Sequence, residues 1–249
     1  MELAETKAIV TGGASGLGAA TAAHFKARGA EVTVLDRDPA GGETAAAMGA
    51  GFAEVDVTDE SSVKAALEKA AEAMGGLTCA VSCAGIATAE RTLGRKGPHR
   101  LESFQRTVDI NLIGSFNIAR LSSEIMSQND SAAEEKGVII NTASVAAFDG
   151  QKGQSAYAAS KGGVAALSLP LARDLGSLGI RAMAIAPGIF RTPMLESLGE
   201  EVMDGLAKDV IHPKRLGLPE EFARLAAFIV ECPYLNGTTI RLDGALRMP

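Results

Sequence analysis

Short apolar, β-branched runs alternate along the chain with longer alanine-rich or amphipathic stretches. KAIVT at Lys7–Thr11 reads as a first strand, and the segment from Ser15 to Arg28 as the helix after it. EVTVLD at Glu31–Asp36 is a second strand, followed by a helix over Gly42–Met48 and a third strand at Phe52–Asp56. A helix from Glu60 to Met74 leads into a fourth strand within LTCAVSCAG. Leu101–Met126 is a long helical region, Gly137–Ser144 a fifth strand, Tyr157–Leu178 a helix, and IRAMAIAPG a sixth strand. A helix over Glu220–Val230 precedes TTIRLDG, the seventh strand. Strands this apolar are covered on both faces, which predicts a parallel sheet. The strict alternation predicts a doubly wound α/β fold: a seven-stranded parallel sheet with helices on both faces. Neither a repeat nor a linker interrupts it, so a single domain is expected over residues 1–249. SQNDSAAEEKG at Ser127–Gly137 reads as a solvated surface loop.

Composition narrows the class. Hydrophobic residues make up 47% of the 249, aromatics only 4%, and Trp is absent, so aliphatic side chains and alanine must pack the core. The net charge of -6 argues against nucleic acid or an anionic membrane as the main partner, because both attract basic surfaces. No run approaches the roughly 18 apolar residues of a membrane span. Cys79, Cys83 and Cys232 do not form a disulfide framework. No His lies near them at zinc-ligand spacing, so no metal site is expected, and Cys79 and Cys83 read as small packing hydrophobes. The first strand begins by Lys7, leaving no apolar signal segment and no room for an Arg-rich presequence. The cysteine usage reads as a reducing compartment, and a bacterial cytoplasm is expected in preference to a mitochondrial matrix.

TGGASGLG spans Thr11–Gly18, directly after the first strand and opening a helix. Gly12, Gly16 and Gly18 let the backbone turn tightly and approach a pyrophosphate, which the helix N-terminus then meets with free N–H groups. Glycines also serve ordinary turns, but in this strand–turn–helix context they read as the dinucleotide turn of a Rossmann fold. Asp36 ends the second strand, where a carboxylate accepts hydrogen bonds from an adenosine ribose and repels a 2′-phosphate. NAD is therefore expected over NADP, with Arg37 pointing the other way and a strand-end turn as the plainer role for Asp36. Asp56 is placed to bond an adenine amino group; the cap of the next helix suits Asp59 better than Asp56.

SAYAASKGG holds Tyr157, one of two tyrosines, and Lys161 four residues later, on one helical face. A nearby cation favours phenolate over phenol, which would turn Tyr157 into a general base. Ser144 closes the fifth strand, and carboxyl strand ends line the ligand crevice of a parallel sheet. Tyr and Lys at this spacing also occur on ordinary solvated helices.

The ordered set resolves that ambiguity. TGGASGLG, Ala84-Gly85, Asn111 in DINLIGSF, Ser144 in NTASVAAF, YAASK, and PGIFRTP from Pro187 resemble the motifs of the short-chain dehydrogenase/reductase family over the full chain. The resemblance implies that Tyr157 is the catalytic acid/base and that Ser144 orients the substrate oxygen. It implies that Lys161 lowers the Tyr157 pKa and bonds the nicotinamide ribose, and that Asn111 holds a relay water. Cofactor contacts are implied for Gly12, Ser15, Gly16, Leu17, Gly18, Asp36, Asp56, Val57, Ala84, Gly85, Tyr157, Lys161, Pro187, Gly188, Ile189 and Thr192. One departure stands out: the family commonly carries Asn-Asn-Ala-Gly where this chain has Ser82-Cys83-Ala84-Gly85. A shorter side chain there alters either binding near the adenine ribose or packing of the sheet.

Longer stretches such as GVIINTASVAAFDGQKGQSAYAASKGG and LNGTTIRLDGALRMP are similar to 3-hydroxyacyl-CoA dehydrogenases within that family. The similarity implies NAD-linked interconversion of 3-hydroxyacyl-CoA and 3-ketoacyl-CoA in fatty acid β-oxidation, and a homotetramer. Two regions, near 88–100 and 190–216, are expected to face substrate. Arg91, Arg95, Lys96 and Arg100 make the first basic enough to attract CoA phosphates, if it is not simply solvated. In the second, Met194, Leu195, Leu198, Val202 and Leu206 recur at helical spacing, as a lid over an acyl chain or as ordinary packing. Gln151 is placed to bond a substrate carbonyl, or only to face water. His24, His99 and His212 complete no triad. Open alternatives are a steroid or other secondary-alcohol dehydrogenase, a 3-oxoacyl-carrier-protein reductase, and a non-catalytic NAD-binding partner protein.

Overall fold

A computed structural model describes residues 1–95, 97–130, 134–196 and 199–248, without the side chain of Met194. Seven strands form one parallel sheet: β1 (Lys7–Thr11), β2 (Glu31–Asp36), β3 (Gly51–Glu54), β4 (Cys79–Ser82), β5 (Gly137–Thr142), β6 (Ile180–Pro187) and β7 (Thr239–Leu242). Their order is β3-β2-β1-β4-β5-β6-β7. The sheet is thus the doubly wound one expected from the alternation.

Strand residues alternate between two cores. Val10, Val34, Val81, Ile140 and Met183 pack with Phe25 of α1 (Gly16–Ala27) and Phe222 of α9 (Pro219–Glu231). Their neighbours Ile9, Leu35, Ala80, Ile139 and Ala182 face the other way. They meet Leu67 of α3 (Glu60–Met74), Ile118 of α5 (Gly114–Ser127) and Leu171 of α6 (Ser155–Leu175). On the first face α2 (Gly41–Ala47) adds Ala45 to the core, and α4 (Leu101–Val108) lies against α6 on the second. Asp59 caps α3, accepting from the N–H groups of Ser61 and Ser62. The direction of winding reverses between β1 and β4, and such a switch point opens a crevice at the carboxyl strand ends.

Several details differ from the pattern. The third strand stops at Glu54 and the fifth at Thr142, so Asp56 and Ser144 each lie two residues beyond a strand. The region after Val108 widens into one π-type turn, Asp109–Ile113, before α5 resumes. Residues 88–100 hold a small antiparallel hairpin, Leu93–Gly94 with Gly97–Pro98, tied to the segment before α6 by the Glu90 N–H bond to the Gly153 carbonyl at 2.8 Å. The apolar stripe after Pro193 is not one helix: α7 (Pro193–Glu196) and α8 (Glu200–Ala207) are separate, with Gly199 as the N-cap of α8. Val202 is exposed and Met203 is the residue turned inward, while Leu198 and the Met194 side chain lie outside the described residues. The stretch before β5 is not wholly solvated either. Glu135 accepts from the buried Arg181 Nε at 2.7 Å, because a guanidinium taken out of water needs a carboxylate partner. No described helix is long and apolar enough to cross a membrane.

Candidate active site

The carboxyl ends of β1 to β4 frame a cleft of about 360 Å³. Gly12, Ser15, Gly16, Leu17 and Gly18 form its floor. Gly12 has φ +65°, and a Cβ there would sit 2.7 Å from the Ala84 nitrogen, so only glycine lets β1 and β4 approach this closely. Ser15 begins α1 in an extended conformation without spending its hydroxyl on the helix cap. The first N–H groups of α1 are thus open to a pyrophosphate.

Asp36 accepts from the Ala14 N–H at 2.9 Å through one oxygen and from the Asp38 N–H at 3.0 Å through the other. Each carboxylate oxygen still has a lone pair for a ribose hydroxyl. Asp36 therefore braces the glycine turn as well as facing the cleft. Asp56 uses Oδ1 alone on the Thr58 hydroxyl (2.7 Å) and N–H (2.9 Å), and these bonds hold its carboxyl below the usual range. Val57, Ala84 and Gly85 complete the walls, and Thr192 packs over Gly16 from the far side. The residues fit a dinucleotide with an anionic centre and a diol at the adenosine end.

Sequence reasoning missed other wall residues: Leu35, Val55, Ile86, Ile110 and Pro193. Most adjoin a quoted motif, and only the fold shows which neighbours turn inward. Cys83 is also on the wall, accepting the Thr142 hydroxyl at Sγ (3.5 Å), and burial pushes its thiol up to about 11. Pro187, Gly188 and Ile189 do not line this cleft. Gly188 donates to the Leu242 carbonyl at 2.9 Å, and Ile189 faces a separate cavity of about 100 Å³ toward β7.

Beyond β5, Ser144 is buried and meets the Tyr157 phenol; its Oγ also accepts the Ala146 N–H at 3.1 Å. Burial pushes the Tyr157 phenol up from its ordinary value, and the Ser144 hydroxyl pulls in the opposite direction. Lys161 is 5% exposed and donates to the Thr142 carbonyl at 2.7 Å. Its Nζ lies 6.0 Å from the Tyr157 ring centroid, and burial pushes the ammonium down to about 8. The cation is thus anchored to a strand end beside the phenol, whose own level is set by burial and by the Ser144 hydroxyl.

Asn111 sits inside the π-type turn, fully buried. It accepts the Ile86 N–H at 2.8 Å and donates to the Ile86 carbonyl (2.9 Å) and Ser160 hydroxyl (3.0 Å). Its side chain is a clamp between the Ala84-Gly85 loop and α6, and its backbone carbonyl accepts the Ser115 hydroxyl at 2.7 Å. A Cβ on Gly85 would lie 3.0 Å from Asn111 Oδ1 and 3.5 Å from Lys161 Nζ, which shows how tightly these three meet. Gln151 is exposed, and Leu195 is half-buried on α7. Arg100 is held by Glu90, while Arg91 and Arg95 are exposed; Lys96 lies outside the described residues. Ser82 stays within the sheet. Its buried hydroxyl and both amide atoms of its register partner Asn141 have no protein partner, so the departure from Asn is felt in the sheet and not on the cleft wall.

The family model described as short chain dehydrogenase matches residues 6–203. The chain is a short-chain dehydrogenase. Members of this family use a nicotinamide cofactor, and the cleft suits one. This short-chain dehydrogenase is 52% identical over 247 residues to a 3-hydroxyacyl-CoA dehydrogenase type-2 of Homo sapiens, covering 97% of this chain and 95% of the relative. It is 51% identical to the protein of the same name in Drosophila melanogaster, covering 96% of each. The crystal structure of 3-hydroxyacyl-CoA dehydrogenase type-2 from Mycobacterium avium superposes with a TM-score of 0.94 at 42% identity, covering 98% of this chain and 96% of that one.

Proposed function

We propose that this short-chain dehydrogenase interconverts 3-hydroxyacyl-CoA and 3-ketoacyl-CoA with NAD, as in fatty acid β-oxidation. The observation that carries the reading is its half-identity, over nearly the whole chain, to proteins named for that reaction. The site supports it. Bound in the cleft, the nicotinamide supplies a hydride acceptor. Ser144 holds the substrate oxygen and Tyr157 removes its proton when the alcohol is oxidised, returning it in reduction. Lys161 stabilises the phenolate as it forms and bonds the nicotinamide ribose. Asn111 holds a water that passes the proton on from Lys161. Asp36 selects NAD by bonding the diol and repelling a 2′-phosphate. Gln151 and Leu195, at the rim, contact the acyl-CoA, and Arg91 and Arg95 attract its phosphates. Exposed Phe116, Leu169, Phe228 and Tyr234 supply apolar surface for a homotetramer, which light scattering tests.

The test follows absorbance of NADH, and of NADPH in parallel, with acetoacetyl-CoA. Rapid loss of NADH alone is expected. Turnover with NADPH alone would replace the reading with a biosynthetic reductase, in which Arg37 on the cleft wall takes the phosphate. Turnover of a steroid alcohol but of no acyl-CoA would replace the substrate class.

A further inference from the structure

At the carboxyl end of β7, Arg241 gathers segments from around the site. Its Nη2 donates to Asp149 Oδ2 at 2.6 Å and to the Leu246 carbonyl at 3.1 Å, and its Nε to Asp243 Oδ2 at 2.7 Å. The guanidinium lies 5.3 Å from the Phe148 ring centroid. Side-chain exposure is 23% for Arg241, 18% for Asp149 and 9% for Asp243, so these bonds are largely sheltered from competing water. None of the three lines the cofactor cleft.

Asp149 is one tight turn from Ser144. The Phe148 and Asp149 N–H groups both donate to the Val145 carbonyl at 2.9 Å, and Ser144 caps that turn. The next residue packs on α6 beside Tyr157: a Cβ on Gly150 would lie 2.9 Å from Ala158 Cβ. On the other side, Asp243 backs the loop after β6, where a Cβ on Gly188 would lie 2.9 Å from Asp243 Cα. One planar fork of donors thus holds two carboxylates at fixed angles, which a lysine ammonium does not do.

We propose that Arg241 is a positioning residue: by gripping Asp149 and Asp243 together, it sets the Ser144 turn against Tyr157 and against the loop that begins at Gly188. The inference rests on the reading of Ser144 and Tyr157 as the reacting pair. Its effect reaches the chemistry through Ser144, so it is read where Ser144 touches Tyr157.

The test uses the full chain with Tyr234→Phe, which leaves Tyr157 as the only phenol. Its titration is followed by NMR at Cζ of labelled tyrosine, alongside kcat and KM for acetoacetyl-CoA and NADH. In Arg241→Met, kcat is expected to fall about tenfold, since small misplacements of reacting groups are costly. KM for NADH is expected to stay within about threefold. Tyr157 should titrate at higher pH than in the parent, having lost the Ser144 hydroxyl. Asp149→Asn should shift both readouts in the same direction by less, and Arg241→Lys should recover part of each. The proposal is overturned if Tyr157 titrates unchanged and kcat stays within about twofold in both Arg241→Met and Asp149→Asn. It is also overturned if KM for NADH rises while Tyr157 is unmoved, which marks a purely structural staple of the C-terminal segment. A parent enzyme without acyl-CoA turnover would defeat the substrate reading alone, because the titration reports the Ser144 contact without substrate.

Discussion

The two halves of the cleft are built on different physics. At the adenosine half, recognition rests on backbone: the glycine turn, the open N–H groups of α1, and two carboxylates at strand ends. Asp36 and Asp56 are water-accessible; each accepts from the backbone two positions on, and Asp36 also from Ala14 of the glycine turn, 22 residues back. At the reacting half, Ser144, Lys161 and Asn111 are buried and Tyr157 partly so, and each is held by residues distant in sequence or by the turn it caps. Burial there moves protonation equilibria: Tyr157 up and Lys161 down to about 8. An open wall binds by shape and many weak contacts; a closed one controls the energy of a single proton.

The contrast predicts unequal responses to substitution. Tyr157→Phe removes the proton acceptor and should lower kcat by roughly 10²–10⁴-fold while NADH still binds, by fluorescence titration. Near-normal turnover in that variant would remove the reacting half from the comparison. Gly12→Ala should be the most damaging change on the other side. Strain at positive φ costs roughly 1–2 kcal/mol, and the new Cβ collides with the Ala84 backbone. A lower melting temperature together with lost NADH affinity is expected; an intact melt would mean the turn is not fixed by its neighbours. Asp36→Ser keeps one acceptor and removes the charge, so the NADH to NADPH preference should narrow about tenfold, the loss of roughly 1.4 kcal/mol of discrimination.

The smallest effect is a pH dependence. A lysine depressed by burial holds its proton more weakly when folded than when unfolded. Its burial cost is present in full below pH about 8 and is relieved as the pH rises toward the ordinary lysine value. Compared with Lys161→Met, the parent protein should therefore gain urea resistance from pH 8 to 10. Tyr157, raised by burial, acts oppositely only above the ordinary phenol range. Parallel curves for the two proteins would mean that the Lys161 charge is better solvated than its surroundings imply.

The adenosine half was more legible from the chain than the reacting half. TGGASGLG works through consecutive residues, so strand, turn and helix start are all local, and Asp36 follows at the end of the next strand. The error at Asp56, placed in a strand that ends at Glu54, is one of boundary and leaves its carboxylate on the cleft wall. At the reacting half, the identities of Ser144, Tyr157, Lys161 and Asn111 were legible through resemblance, but their partners were not. Nothing near Lys161 in sequence announces the Thr142 carbonyl, and nothing near Asn111 announces Ile86. The Gly188 bond to the Leu242 carbonyl is of the same kind, since its partner lies far along the chain.

By itself, the sequence determined the alternation of seven strands with their covering helices, the glycine turn and the order of the motifs. These follow from periodicity and backbone freedom, which are properties of adjacent residues. Only the tertiary structure decided that Lys161 is anchored to the Thr142 carbonyl, that Asn111 is a clamp, that the apolar stripe after Pro193 breaks into two helices, and that Arg241 reaches Asp149. Those outcomes depend on desolvation and on contacts between distant segments, and both come into being only when the chain has closed around them.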